Sequence, residues 1–350
     1  NGVSIKISAL HPRYEMRKIN QIESELLPKL KELVNYAQSK DVEITIDAEE
    51  QDRLSLSLHI IEKLAYEKNI RDWSGFGIAL QAYGKRSFDV INWLNGILDK
   101  RDGMHLRLVK GAYWDYEIKH AQVSGYEGYP VFSKKSLTDI AYLACAKEIF
   151  KNKKIFPKFA THNAHTISSI HQIGKDCNYE FQRLYGMGEL LYKSASEVLG
   201  IKNNPSVYAP IGSYKDLLPY LVRRLLENGA NSSFINRLLD PDTNSEWLAE
   251  NPYIRVKSEK KEIPLPNKIF INRQNSSGMD ISESENLENL KRRLIDFEDK
   301  LIDAKSIYEG REEDNKNVEK IFSISSKKEI GTVVFDLSLI HISEPTRPLH

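Results

Sequence analysis

Two cysteines among 350 residues, Cys145 and Cys177, leave no paired spacing from which a disulfide framework or a thiolate metal site could be built. A reducing compartment suits such a chain, and cytoplasm is the expected location. Charge imbalance is lacking too: 50 basic against 49 acidic side chains give a formal net charge of +1. That removes any global argument for nucleic acid or another polyanion as partner, so electrostatics has to be read site by site. No apolar run approaches the roughly 18 to 20 residues of a membrane-spanning helix, so any membrane role is expected to be peripheral. No Gly-x-Gly-x-x-Gly turn follows a strand-like segment, and the phosphate signature of a doubly wound dinucleotide fold is therefore missing. Repeats and low-complexity tracts are absent as well.

What is present is a hydrophobic content of 41%, enough for one large or two ordinary domains. Short strand-like runs alternate with longer helical patterns over the first 240 residues, as in a parallel α/β sheet. Seven runs read as strands: 3–8, 43–47, 75–83, 104–111, 156–162, 180–186 and 206–212. Helical stretches include Gln21 to Lys40, Asp52 to Glu67, Phe88 to Leu98 and Leu137 to Asn152. Both a doubly wound sheet and a (β/α)8 barrel fit this alternation. The barrel is favoured, because Lys6, Asp47, Gln81, Arg107, Lys110, His162 and Tyr208 all fall in or just after a strand, as if feeding one mouth. An eighth strand is then required, and it is expected upstream of Asn1, in a longer protein of which this chain is part.

Beyond about residue 245 the texture changes to charge, Pro, Asn and Ser, as in a linker, and an amphipathic helix is expected over Leu287 to Lys305. The expected division is a barrel over 1–245, a linker and following region over 246–335, and a non-native tail over 336–350, whose composition departs from what precedes it.

Several short stretches can carry chemistry. A strand lysine such as Lys6 serves as a Schiff-base nucleophile, an anion clamp or an ion-pair partner. Asp47 ends a strand, while Glu49 and Glu50 after it suit the N-terminus of a helix. In "RLVKGAYWDYE", Arg107 and Lys110 supply cations, Gly111 permits close backbone approach, and Tyr113 and Trp114 offer flat surfaces; a nucleotide cofactor or a solvated turn would use such a set. "FATHNAH" has His-x-x-His spacing without a carboxylate or cysteine partner, so no metal is expected there or elsewhere. In and just before "YLVRRLLENGANSS" (220–233), Leu217, Leu218, Leu221, Val222, Leu225 and Leu226 form an apolar helix face. Tyr220, Arg223, Arg224 and Glu227 cluster opposite it, either as a solvated ion-pair surface or as part of a site.

Taken together, "VSIKISALHPRYE", "TIDAEEQDRL", "QAYGKRS", "RLVKGAYWD", "EGYPVFSKKSLTD", "FATHNAHT", "YEFQRLYGMGE", "VYAPIGS" and "YLVRRLLENGANSSF" closely resemble the proline dehydrogenase domain of the bifunctional proline utilization flavoenzymes. The likeness runs in order from about residue 2 to 240. It continues through "EIPLPNKIFINRQNSSGMD", similar to the linker that leads to an NAD-linked aldehyde dehydrogenase domain in bifunctional members and is lacking in monofunctional ones.

The resemblance implies a distorted (β/α)8 barrel, lacking its first strand here, with FAD across its mouth. It also implies oxidation of L-proline to Δ1-pyrroline-5-carboxylate by hydride transfer to flavin N5, with electrons passing to a quinone. A bacterial enzyme of this kind works in the cytoplasm, transiently peripheral at the inner face of the membrane, and can be a homo-oligomer when complete. No nucleic-acid partner is implied for this segment. By residue, Lys6, Arg223 and Arg224 match the carboxylate clamp, Tyr113, Tyr208 and Tyr220 the substrate pocket, and Asp47 a partner that orients Tyr208 or a cation. Gln81, Arg107, Val109, Lys110, Gly111, Ala112, Trp114, Ser133, Lys135, Thr161, His162 and Glu227 match flavin contacts. Two other readings stay open: a Schiff-base lyase built on Lys6, and a non-catalytic scaffold.

Overall fold

The computed structural model describes residues 2–229, 246, 249–259, 263–298, 300–305, 307–308, 311–312 and 317–334. The side chain of Glu227 and the tail over 336–350 lie outside the described residues. Seven strands, β1 (Gly2–Ile5), β2 (Glu43–Ile46), β3 (Phe76–Gln81), β4 (Met104–Val109), β5 (Ile155–Ala160), β6 (Glu180–Leu184) and β7 (Ser206–Tyr208), pair in sequence order, all parallel. Helices connect them: α1 (Ile19–Glu25), α2 (Leu27–Ser39), α3 (Leu54–Ala65), α4 (Lys68–Arg71), α5 (Ser87–Leu98), α6 (Trp114–Ser124), α7 (Lys135–Ile149), α8 (Ala164–Ile173) and α9 (Glu189–Leu199), with α10 (Tyr214–Gly229) after β7. Among the described residues no eighth strand pairs with β1 or β7.

Side chains alternate between the two faces of a strand, and here the two faces differ in chemistry. Ile44, Ile46, Phe76, Ile78, Leu80, Met104, Leu106, Leu108 and Phe159 occupy one set of alternate positions and are buried. With Leu54, Leu58, Ile61 and Val90 from α3 and α5, several of them line a recess on the helix side of β2 and β3. The intervening positions hold Glu43, Thr45, His105, Arg107, Lys158 and Gln182, which is unusual for a parallel sheet, whose strands are commonly apolar on both faces.

These polar groups find partners by skipping strands. Thr45 on β2 bonds the His105 ring on β4 at 2.8 Å, Lys158 on β5 donates to Glu43 on β2 at 2.5 Å, and Arg107 on β4 reaches Ser4 on β1 and Gln182 on β6. A flat sheet with strands about 4.8 Å apart would hold such pairs too far from one another, so the sheet curls around this face. The result is a distorted (β/α)8 barrel wall with a polar interior. Gly77 makes room for it, because a Cβ there would lie 2.1 Å from the His105 ring. Burial, with the nearby charges of Lys158 and Arg107, pushes His105 down to about 3, and the ring stays neutral.

Several boundaries differ from the sequence-based expectation. The helix expected over Gln21 to Lys40 breaks at Leu26, since Pro28 lacks an N–H and suits the first turn of a new helix, where α2 begins. The first strand stops at Ile5, and Ile7–Leu10 forms a 3-10 turn. The helix expected to run to Lys305 ends at Glu298, because Ile302–Ala304 pairs instead with the strand Glu329–Val334. Leu294, Phe297 and Leu301 are exposed.

The chain divides into two compact units, Asn1–Glu283 and Ser284–His350. Within the first, residues 263–283 lie against the barrel. Tyr129 donates to the Pro264 carbonyl at 2.6 Å, the Gly278 amide donates to the Gly125 carbonyl at 2.8 Å, and Arg86 and Ser55 bond Glu283 at 2.5 and 2.9 Å.

Candidate active site

The C-terminal ends of the strands gather the charged side chains. Arg107, near the end of β4, is 9% exposed and fully engaged. Its Nε donates to Gln182 Oε1 at 2.7 Å, one terminal nitrogen to Asp47 Oδ1 at 3.0 Å, and the other to Ser4 Oγ at 2.8 Å. Its guanidinium also lies 5.0 Å from the centre of the Tyr208 ring. Tyr208 in turn donates to Asp47 Oδ2 at 3.4 Å, so β1, β2, β4, β6 and β7 meet at one point. Burial raises the Asp47 carboxyl above its ordinary value, and Arg107, Lys6 and the Tyr208 hydrogen bond oppose it without winning. The Tyr208 hydroxyl is raised by burial and then by the Asp47 charge.

Lys6, just past β1, donates to Tyr113 Oη at 2.8 Å. Burial works against its charge, but the Tyr113 hydroxyl and the carboxylates of Asp47 and Glu49 outweigh that, and its pKa is raised. Glu49 was expected only to favour a helix N-terminus; instead it is 8% exposed and accepts from the Ser8 amide at 3.1 Å, from the Ser8 hydroxyl, and from Arg53 at 2.8 Å. Its carboxylate is drawn inward because the turn after β1 offers it donors that a solvated helix start lacks.

Gln81 ends β3 and joins two loops: its Nε2 donates to the Glu49 carbonyl at 2.8 Å, and its Oε1 accepts from the Ala112 amide at 3.0 Å. The Val109 and Lys110 carbonyls accept from Ala82 and Tyr83 amides, both at 2.8 Å. Gly111 follows at φ 148°, and a Cβ there would sit 2.4 Å from the buried Tyr83 ring. Gly111→Ala is therefore expected to destabilise the protein by roughly 1–3 kcal/mol, through backbone strain and displacement of Tyr83. The midpoint of urea unfolding measures this; an unchanged midpoint would show that the loop is free to shift.

Other expected residues face elsewhere. The Lys110 ammonium pairs with Asp139 on α7, and Trp114 Nε1 donates to the Phe132 carbonyl at 2.9 Å. Thr161 accepts from the Asn163 amide at 3.2 Å through Oγ1 and from Tyr192 at 2.8 Å through its carbonyl. His162 Nε2 accepts from the Leu184 amide at 3.0 Å. Burial, then the charges of Arg224 and Arg183, pushes His162 down to about 4, so this imidazole is a neutral acceptor. On α10, Tyr220, Arg223 and Arg224 are half-buried, whereas Leu218, Leu221 and Val222 are exposed. Arg224 lies 5.4 Å from the Tyr220 ring centre, one turn away on the same helix, and these two side chains are close to His162 and Tyr208 of the barrel.

Arg107 and Lys110 are engaged by side chains of the chain itself, so an anionic group at this mouth would need other donors. Lys134 and Lys135 open α7, whose first turn has no acidic residue and follows Ser133, a setting that favours phosphate. An anion already sits there: the Glu259 carboxylate accepts from Ser136 Oγ at 2.6 Å, and the Glu259 carbonyl accepts from Lys134 Nζ at 3.0 Å. Trp114, 37% exposed beside Gly111, adds an open aromatic face.

Ser4, Gln182, Tyr83 and Asp139 were missed in the sequence. Ser4 alone had a readable signal, since it shares a strand face with Lys6 at i, i+2. Glu117 on α6 was missed too. It is 2% exposed and accepts from the Gln51 amide at 2.8 Å. Burial, offset in part by that bond and augmented by Asp52 and Glu50, pushes its carboxyl up to about 7 from an ordinary 4.5. The folded state holds this proton more tightly than the unfolded chain does. The associated stability is thus full below about pH 4.5 and is lost as pH rises through about 7. Glu117→Gln, which cannot ionise, is expected to lose less stability than the unaltered protein between pH 5 and pH 8. Urea midpoints at the two values test this, and equal pH slopes would refute it.

Comparison with known proteins adds to this geometry. The proline dehydrogenase family model matches residues 1–237. The bifunctional protein PutA of Escherichia coli (strain K12) is 45% identical over 314 residues, covering 84% of this chain and 24% of that protein. PutA of Rhizobium meliloti is 44% identical over 309 residues, covering 84% of this chain and 25% of that protein. A solved structure of proline utilization A with proline bound in remote sites matches with a TM-score of 0.80 and 42% identity, over 87% of this chain and 32% of that one. The chain thus spans about a quarter of the length of these curated relatives. With the family model covering residues 1–237 and the curled parallel sheet in agreement, the chain belongs to the proline dehydrogenase family.

Proposed function

We propose that this chain oxidises L-proline to Δ1-pyrroline-5-carboxylate with FAD as its cofactor and a quinone as the final electron acceptor. The observation that carries the reading is the convergence of Lys6–Tyr113 and Arg107–Asp47–Tyr208 at the strand ends, with Tyr220 close to Tyr208 and Arg224 close to His162. Proline offers a carboxylate, a secondary amine and an apolar ring. Lys6, Arg223 and Arg224 clamp the carboxylate, the two guanidinium groups being suited to bidentate pairing. Tyr113, Tyr208 and Tyr220 wall the ring.

Three cations around one carboxylate leave excess positive charge, which disfavours protonation of the substrate amine and keeps it ready to react. Oxidation removes a hydride from the ring carbon beside nitrogen and a proton from nitrogen, turning the C–N bond into C=N. FAD, when bound, accepts the hydride. Asp47 acts as a positioning group held by Arg107 and Tyr208 rather than as an obligatory base. Gln81, Arg107, Val109, Lys110, Gly111, Ala112, Trp114, Ser133, Lys135, Thr161, His162 and Glu227 are proposed to hold the cofactor. Lys110 does so through its backbone, since Asp139 occupies its ammonium.

The raised pKa of Lys6 speaks against a Schiff-base lyase, which needs a neutral amine at the start. No helix among the described residues is long and apolar enough to cross a membrane. Peripheral association with a membrane for quinone reduction is part of the same proposal. Residues 246–335 are proposed to lead toward an NAD-linked aldehyde dehydrogenase part in the longer protein, which is proposed to be a cytoplasmic homo-oligomer. The test is anaerobic addition of proline to protein reconstituted with FAD. Loss of absorbance near 450 nm, about the flavin maximum, is the expected result; protein that binds FAD and keeps its colour with saturating proline would overturn the reading.

A further inference from the structure

Two loops shape the mouth of the barrel. Residues 47–53, after β2, carry Asp47 and Glu49; residues 110–113, after β4, carry Ala112 and Tyr113. The Gln81 amide ties them once, between the Glu49 carbonyl and the Ala112 amide. A second tie lies deeper. Glu117 projects from the first turn of α6, directly after the second loop, and accepts from the Gln51 amide in the first. The Tyr83 hydroxyl reaches the same oxygen at 3.5 Å, and the Tyr83 ring lies under Gly111, where no other residue fits without displacing it. Tyr83 further fixes the second loop through its backbone, accepting from Phe132 and donating to Lys110, both at 2.8 Å. A carboxyl that is 2% exposed, faces Glu50 and Asp52, and has no cation among its hydrogen-bond partners is a costly choice for simple packing.

We propose that Glu117 is a positioning residue that locks the Asp47 loop to the Tyr113 loop through the Gln51 amide and the Tyr83 hydroxyl, and so sets the spacing of the proline pocket. This rests on the function proposed above for that pocket. Glu117 touches neither Lys6 nor Arg107; it acts through Gln51 and Tyr83. Its hydrogen-bonding capacity matters rather than its charge, because one acceptor oxygen serves both donors. Glu117→Gln should therefore preserve the lock, whereas Glu117→Met removes the acceptor at similar volume. Glu117→Asp keeps a carboxylate but withdraws it by one carbon from the Gln51 amide.

The experiment compares the three variants in the full chain by amide hydrogen exchange and by proline oxidation kinetics. In Glu117→Met, peptides covering 47–53 and 110–113 are expected to exchange at least tenfold faster together. The apparent KM for proline should rise at least fivefold with kcat within about twofold. Glu117→Gln should match the unaltered protein within twofold on every reading at pH 7.5. If Glu117→Met does not fold, Glu117→Asp is expected to show the same paired acceleration and KM rise. A fall in active fraction with KM unchanged, faster exchange confined to 47–53, or a Gln variant as impaired as Met would each overturn the proposal. If the unaltered protein fails to oxidise proline, the functional reading falls, while the paired exchange of the two loops still decides whether Glu117 locks them.

Discussion

Arg223→Met and Arg224→Met are each expected to raise the apparent KM for proline by roughly 30-fold or more, with FAD retained. Losing one partner of a desolvated, charge-assisted pair costs roughly 2–5 kcal/mol, and 1.4 kcal/mol is a factor of ten. Methionine keeps the unbranched stem that packs the half-buried side of α10, so the change removes the guanidinium more than the packing. Leu218, Leu221 and Val222 are exposed while Tyr220, Arg223 and Arg224 are half-buried, which supports the proposal that the arginine side of this helix is the functional one. Steady-state proline oxidation with an artificial dye gives KM, and the absorption spectrum gives bound flavin. Unchanged KM in both variants would remove the carboxylate clamp from the mechanism.

Arg107→Met is expected to be the most damaging single change to stability, by about 3–5 kcal/mol. Its removal strips Asp47 of the bond at 3.0 Å and leaves Gln182 Oε1 and Ser4 Oγ without the donor that joins them. Asp47 is already raised by burial and would rise further without the guanidinium, so the deficit should shrink as pH falls and the carboxyl takes a proton. Asp47→Asn keeps one acceptor oxygen for Arg107, and its amide nitrogen can donate to a Tyr208 hydroxyl that turns to accept, so it is expected to be much milder. Urea unfolding at pH 5 and pH 8 tests both statements. A loss below about 1 kcal/mol for Arg107→Met would mean that water replaces the guanidinium, and that the interior at this level is wet rather than closed.

The alternation of strands and helices was legible because each element depends on local periodicity and on turn residues, and all seven strand positions were readable in that way. So was the placement of Lys6, Asp47, Gln81, Arg107 and Tyr208 at strand ends, since a strand end is a local feature. Where local reasoning erred, a longer-range constraint intervened. Pro28 split one helix, and pairing between Ile302–Ala304 and Glu329–Val334 converted the end of another into a strand. The polar lumen was not legible, because Glu43, Thr45, His105 and Lys158 read as ordinary alternation until the sheet curls and brings non-adjacent strands face to face.

The sequence by itself determined a parallel α/β chain, the family whose motifs it carries, and which residue types stand at the barrel mouth. Only the tertiary structure decided their partners. Arg107 is held by Ser4 on β1 and Gln182 on β6, from either side of its own strand, Lys110 turns to Asp139 on α7, and His162 is a neutral acceptor for the Leu184 amide. Glu117, one turn inside α6, faces the backbone of Gln51. Such pairings span 22 to 103 residues of chain, and neither propensity nor spacing records them. They follow from sheet curvature and burial, which set both the distance between two groups and the dielectric in which they meet.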